Sequence, residues 1–276
     1  GGTMQLLKQQ LPQLGIKTQF VDDSDLKLLE LELEKGVDLV FFETPSNPTL
    51  KIIDITEIAN LAHKYHALVA VDNTFASSIN QKPITLGADF SIQSATKFLG
   101  GHSDLTAGVL SGRGEYLDQV NVWRKNLGQM IAPEIAHKLS RSLCTLQLRI
   151  ERHNSNALAV ASFLNSHPAV EHVFYPGVVG SPYLEIATKQ MSGYGGMLSF
   201  VVNASDGDIV ELIDNLKLFL LAPSLGGAES LVTQPITTSH FGLSDEELER
   251  IGITAKLIRI SVGLEDVSDL IQDLEQ

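Results

Sequence analysis

Cysteine is nearly absent. Cys144 is the only one in 276 residues, so no intrachain disulfide can form. A lone thiol fits a reducing compartment, and a cytoplasmic location is the expectation. Cys144 lies in the apolar stretch Leu143-Cys144-Thr145-Leu146 and is expected to be buried as a small hydrophobe. Basic residues are scarce: 20 Lys and Arg face 33 Asp and Glu, for a net charge of −13. The cations are scattered, which excludes the electrostatic footprint of a nucleic-acid binder. No apolar run reaches the ~20 residues of a membrane helix, and no charged-then-apolar leader opens the chain. The glycines at 100, 101, 195 and 196 do not form G-x-G-x-x-G, so a dinucleotide fingerprint is lacking. His63-x-x-His66 offers two ligands on one helix face without a third ligand cluster, so no metal is expected.

What is present is core-forming material, 43% hydrophobic by composition, enough for two domains. The first half alternates apolar runs (Leu39 to Phe42, Ala67 to Val71, Phe90 to Gln93) with amphipathic segments. Asp54 to Glu57 reads as a capping box before a helix that places Ile55, Ile58, Ala59 and Ala62 on one face. Such alternation predicts an α/β fold with a mostly parallel sheet flanked by helices. Residues 114–147 read as helical, and Ile150 to Leu164 as a further helix ended by Ser166-His167-Pro168. Beyond it, strands at Gly196 to Val202 and Lys256 to Val262 are joined by helices. One is capped at Ser244 to Glu247, and one carries Val267, Leu270, Ile271 and Leu274 on a single face. Together these predict a smaller C-terminal α+β domain, with the division at 1–147 and 148–276.

The segment Ser94-Ala95-Thr96-Lys97-Phe98-Leu99-Gly100-Gly101-His102 carries the chemical signal. A lone lysine preceded by hydroxyls and followed by a glycine pair suits an imine with an aldehyde cofactor whose phosphate the hydroxyls grip. The lysine must then be available as the neutral amine. A cofactor of that kind also needs an acid at its ring nitrogen. Asp72, at the end of Val69-Ala70-Val71, supplies one. Asn47, held between Pro45 and Pro48, follows another strand and reaches the same sheet edge, where ligands of open α/β sheets bind. In Leu257-Ile258-Arg259-Ile260 a single arginine sits within an apolar strand. It requires a carboxylate, either a structural partner or that of a substrate. The small-residue loop Ala222-Pro223-Ser224-Leu225-Gly226-Gly227 reads as a tight turn.

Together these segments closely resemble the Cys/Met-metabolism family of pyridoxal-phosphate enzymes, which includes cystathionine γ-synthases, cystathionine and methionine γ-lyases and homoserine sulfhydrylases. The resemblance rests on Gly1-Gly2-Thr3, ETPSNPTL from Glu43, AVDNTFASS from Ala70, SATKFLGGHSD from Ser94, SLGGAESL from Ser224 and IRISVGLEDVSDLI from Ile258. It implies fold type I, pyridoxal 5'-phosphate as cofactor, small amino-acid substrates and a homo-oligomer built as a dimer of dimers. It further implies Lys97 as the Schiff-base lysine and proton shuttle, and Asp72 as the partner of the pyridinium nitrogen. Thr74 would lie beside the ring, Ser94 and Thr96 on the phosphate, and Asn47 on the cofactor's phenolic oxygen. Ser224 and Arg259 would hold the lysine or substrate and the substrate carboxylate.

In wording the chain is most similar to cystathionine γ-synthases, through Ala222-Pro223-Ser224 and the residues after Lys97. Cystathionine γ-lyases usually carry an acid where Pro223 stands. The expected reaction is γ-replacement on an activated homoserine ester by cysteine, giving cystathionine. A γ-lyase or sulfhydrylase is the alternative, and an inactive truncated homologue serving as assembly partner is the alternative of another class. Since Gly1 to Thr3 match a family motif that follows the ring-stacking tyrosine, the family's N-terminal segment, with that tyrosine and further phosphate contacts, is expected to be missing.

Overall fold

The computed structural model describes residues 2–22, 25–238, 242, 244, 246, 248 and 251–275. Gly1 of the first matched motif and Glu247 of the expected cap lie outside the described residues.

The first sheet has the order β1-β2-β3-β4, with β1 Leu39–Glu43, β2 Leu68–Asp72, β3 Phe90–Ser94 and β4 Gly108–Gly112. β1, β2 and β3 are parallel, as their apolar runs predict, and β4 closes the edge antiparallel. The connections explain the difference. Helical segments separate the first three strands, whereas β4 follows the turn after Lys97 and returns alongside β3. The helices that matter here are α1 Leu26–Leu33, α2 Ile55–Lys64, α3 Gly114–Asn126, α4 Pro133–Leu143, α5 Leu146–Ser166, α6 Asp206–Asn215 and α7 Val267–Leu274.

α2 buries Ile55, Ile58, Ala59 and Ala62, of which Ile55, Ala59 and Ala62 pack with Val69 and Val71 of β2. Each isoleucine so buried contributes about 1.5–3 kcal/mol. Of the expected capping box, the aspartate half forms: Asp54 Oδ1 accepts from Glu57 N at 3.0 Å. The Glu57 side chain is exposed. Asp54 Oδ2 takes Lys189 Nζ at 3.0 Å. A full reciprocal box occurs instead at Ser205 and Asp208, opening α6.

The second sheet has the order β5-β6-β9-β8-β7, with β5 Val170–Phe174, β6 Met197–Val202, β7 Leu220–Leu221, β8 Leu231–Thr233 and β9 Leu257–Ser261. α5 and α7 pack on it around Val160, Ala161, Leu164, Leu198, Ile260 and Leu270. The α7 face is the expected one, with Val267, Ile271 and Leu274 partly buried beside Leu270. α5 begins four residues before the expected helix start and spans the 147/148 position. A third apolar cluster, including Phe98, Leu146, Ile150, Met197 and Leu225, joins the lysine turn, α5 and the second sheet.

One side chain departs from expectation. Cys144 is exposed, not buried, because it caps the C-terminus of α4 while Leu139, Ser142 and Leu146 take the inward positions. His63 and His66 do not form a pair of ligands: His63 Nε2 lies 2.9 Å from Asp89 Oδ2.

Candidate active site

The carboxyl ends of β1, β2 and β3 deliver three loops to one edge. Glu43 and Asp72 end their strands as register partners, and Ser94 ends β3. Thr74 braces this edge. Its backbone N and Oγ1 both donate to Asp72 Oδ1, at 3.0 and 2.6 Å, and Oγ1 accepts from Ser94 N at 2.9 Å. Two donors on one oxygen fix the Asp72 carboxylate and leave Oδ2 for a ligand.

After β3 the chain makes a helix-like turn, with Lys97 N donating to Ser94 O at 3.2 Å and Gly101 N to Lys97 O at 2.7 Å. The turn projects Lys97 Nζ to Ser224 Oγ, 3.1 Å away. Ser224 comes from the loop between β7 and β8 of the other sheet. The same loop touches the turn through Gly226, whose φ of +74° admits a close approach: a Cβ there would lie 2.7 Å from Phe98 N. Burial, and after it the charge of Arg259, hold the Lys97 amine below its ordinary range.

Arg259, at the centre of β9, is 2% exposed. Of the two carboxylates expected for it, a structural partner is not found: none lies within ion-pair distance among the described residues. Nη1 donates instead to Asn47 Oδ1 at 3.0 Å, and Nη2 to the carbonyls of Pro223 and Ser224 at 3.1 and 3.4 Å. Burial pulls its pKa down to about 10, opposed by Glu43, so the guanidinium stays charged at neutral pH. With its oxygen engaged by Arg259, the Asn47 amide keeps its nitrogen for a ligand. Glu43 is a site residue that the sequence reading passed over as part of a motif. Burial, then Asp72, push its carboxyl up to about 8, while the Asn47 N–H and Arg259 act against the shift.

Lys97, Asp72, Thr74, Ser94, Asn47, Ser224 and Arg259 therefore converge. Thr96 is more committed: its Oγ1 accepts from Ala107 N at 3.1 Å and lies 3.4 Å from Ala107 O, tying the turn to the following loop. Ser94 Oγ has no hydrogen-bond partner among the described residues. A cavity of about 660 Å³ opens beside Thr96 and Ser224, lined also by Ser103, Asp104, Leu105, Thr106 and Ile135. A depressed lysine amine, an oriented carboxylate, an open hydroxyl and an amide donor around one edge form a donor set that fits a phosphorylated pyridine aldehyde.

Comparison with known proteins decides the family. The model of the Cys/Met metabolism PLP-dependent enzymes matches residues 1–276. The chain belongs to that family. Its cofactor is pyridoxal 5'-phosphate. The chain is 43% identical to an L-methionine γ-lyase of Fusobacterium nucleatum subsp. nucleatum over 279 residues, covering all of this chain and 71% of that protein. It is 43% identical to the chloroplastic cystathionine γ-synthase 1 of Nicotiana tabacum over 270 residues, covering 96% of this chain and 49% of that protein. In structure it is similar to a cystathionine γ-lyase from Lactobacillus plantarum, solved with L-serine, at a TM-score of 0.94 and 37% identity. That match covers 99% of this chain and 72% of the other. The fold is accordingly fold type I. Among the described residues no helix is long and apolar enough to cross a membrane.

Proposed function

We propose that this member of the family performs γ-replacement on an activated homoserine ester, with cysteine as the incoming thiol and cystathionine as product. The carrying observation is the approach of Lys97 Nζ to Ser224 beside the buried Arg259, which forms no ion pair among the described residues. Arg259 binds the substrate α-carboxylate through a charge-assisted pair. Lys97, as the neutral amine, takes up the Cα and Cβ protons whose removal lets the γ-substituent leave, and returns a proton to Cβ and to Cα once the thiol has added. Ser224 orients its Nζ, and Asp72, steadied by Thr74, faces the ring nitrogen. Ser94 and Thr96 serve the phosphate, and Asn47 the phenolic oxygen. When bound, the cofactor withdraws electron density from Cα, which makes the Cα and Cβ protons acidic. Overall the Cγ–O bond breaks, the ester's acid departs, and the thiol sulfur forms the new bond to Cγ while releasing its proton.

Pro223 supports replacement over elimination. It is exposed at the site mouth, its carbonyl is held by Arg259, and it brings no charge to the substrate's distal end. The second reading is a γ-lyase, favoured by the names of two of the relatives. Incubation with O-acyl- or O-phosphohomoserine plus cysteine distinguishes the two. Cystathionine as the main product supports the proposal, and α-keto acid and ammonia from cystathionine or methionine support the lyase. We also take 1–147 as the cofactor domain and 148–276 as the small domain. The exposed Trp123, Leu127, Met130 and Ile131, an apolar patch of the kind that partner chains cover, support a homo-oligomer.

A further inference from the structure

α5 carries a buried polar stripe that the proposed chemistry does not use. Arg149 is 6% exposed and has no carboxylate partner among the described residues. Its Nη1 donates to Phe98 O at 2.7 Å, and its Nη2 to Leu99 O at 3.3 Å and Ser142 O at 3.0 Å. Its Nε donates to Thr145 Oγ1 at 3.2 Å. Phe98 and Leu99 immediately follow Lys97, and their carbonyls lie at the open end of the lysine turn. Gly101 leaves room for this contact: its φ is +66°, and a Cβ there would fall 1.9 Å from Arg149 Nη1.

One helical turn on, His153 is fully buried. Its Nδ1 donates to Val262 O at 2.7 Å, and its ring meets the Phe98 ring edge-on at 5.1 Å. Asn156 Nδ2 donates to Gly263 O at 3.0 Å and Glu265 O at 2.9 Å. Val262 and Gly263 continue directly from β9, the strand of Arg259. A single helix face thus grips the lysine turn at one end and the arginine strand at the other.

We propose that Arg149, with His153 and Asn156 below it, is a positioning residue that fixes the Lys97 turn relative to Ser224 and Arg259. A buried cation held only by neutral acceptors is costly. Apolar residues of similar volume would fill the space more cheaply, so stability alone does not account for it. A planar guanidinium reaching three carbonyls at once does account for it, because no ammonium can match that fork. Placement of the lysine to within a fraction of an ångström is what such a clamp secures.

This inference rests on the reading of Lys97 as the cofactor lysine, and the test separates the two. The protein is incubated with pyridoxal 5'-phosphate at a series of pH values. Borohydride is added at intervals, and the adduct is quantified by peptide mapping for wild type, Arg149→Lys, Arg149→Met and Gly101→Ala. The Gly101→Ala variant retains the arginine but displaces it, so it serves if Arg149→Met does not fold. Circular dichroism establishes the folded fraction. In the folded variants we expect adduct still on Lys97, formed about tenfold more slowly or worse at neutral pH. Their pH profiles should move upward as the amine swings toward solvent, with Arg149→Lys intermediate. Unchanged rate and profile per folded molecule in these variants would overturn the positioning role, even where melting temperature falls. Wild-type adduct on a different lysine would instead overturn the assignment of Lys97, and this inference with it.

Discussion

Arg259 Nη1 donates to Asn47 Oδ1 across 3.0 Å, joining β9 of the second sheet to the loop after β1 of the first. One bond thereby sets the group proposed for the substrate carboxylate against the residue proposed for the cofactor's phenolic oxygen. Arg259→Lys keeps the charge but cannot serve Asn47, Pro223 and a carboxylate together. The expected loss is about 1.5–3 kcal/mol, or roughly 10- to 150-fold in kcat/KM, expressed mainly in KM. Steady-state kinetics of the variant check this, and an unchanged KM would remove Arg259 from carboxylate binding.

Asp72→Asn preserves shape and can still accept from Thr74, but it removes the negative charge proposed to serve the ring nitrogen. A fall in kcat of about 10²-fold or more is expected, with the melting temperature of the cofactor-free protein nearly unchanged. Paired kinetics and thermal melts test it. A variant of normal kcat would show that the charge is not used.

Gly226→Ala places a methyl group 2.7 Å from Phe98 N on backbone held at a φ of +74°. The strain is expected to cost about 1–3 kcal/mol and to push the lysine turn away from Ser224. Denaturant unfolding and cofactor uptake report the two effects separately. Both should decline, and unchanged uptake would show that the turn tolerates the displacement.

Glu43 gives the stability a pH signature. Its carboxyl is raised from 4.5 to about 8, so the folded chain holds a proton that the unfolded chain has already lost between those values. Its contribution is fully present below pH 4.5 and disappears as pH rises through 8. Glu43→Gln carries no such dependence. Relative to wild type, the variant should therefore gain melting temperature steadily from pH 4.5 to 8.5. A constant difference across that window would contradict the shift.

His153 runs in the opposite sense. Burial, with the Arg149 charge behind it, pushes its pKa down from 6.5 to about 4 against the pull of the Val262 carbonyl. Its neutral form stabilises the fold above pH 6.5, and that contribution is lost as pH falls through 4. His153→Gln should flatten the acid limb of the melting curve between pH 6.5 and 4. An identical limb in wild type and variant would show that His153 does not titrate on unfolding.

The strands that position the site were legible in the sequence because each is a short apolar run ending in a polar residue. That pattern puts Asp72, Asn47, Ser94 and Lys97 at one sheet edge. β4 escaped because Gly108 to Gly112 carries only two apolar residues and pairs by returning along β3. Arg259 was legible as an anomaly, a charge in an apolar strand. Its protein partners were not, since Asn47 lies 212 positions away in sequence and an amide and two carbonyls take the place of a structural carboxylate. Arg149 carried a comparable signal, a charge on the face of α5 that includes Ile150, His153 and Ala157. It went unread because helical charges are ordinarily solvated. The exposure of Cys144 depends on which way α4 turns at its end, and composition does not encode that.

The central claim is that Lys97 carries the cofactor. Borohydride reduction of the protein saturated with pyridoxal 5'-phosphate, followed by peptide mapping, tests it most directly. The account predicts one pyridoxyl group per chain, on the peptide containing Lys97, and none in Lys97→Ala. Stoichiometric adduct on any other lysine, or equal labelling of Lys97→Ala, would contradict it.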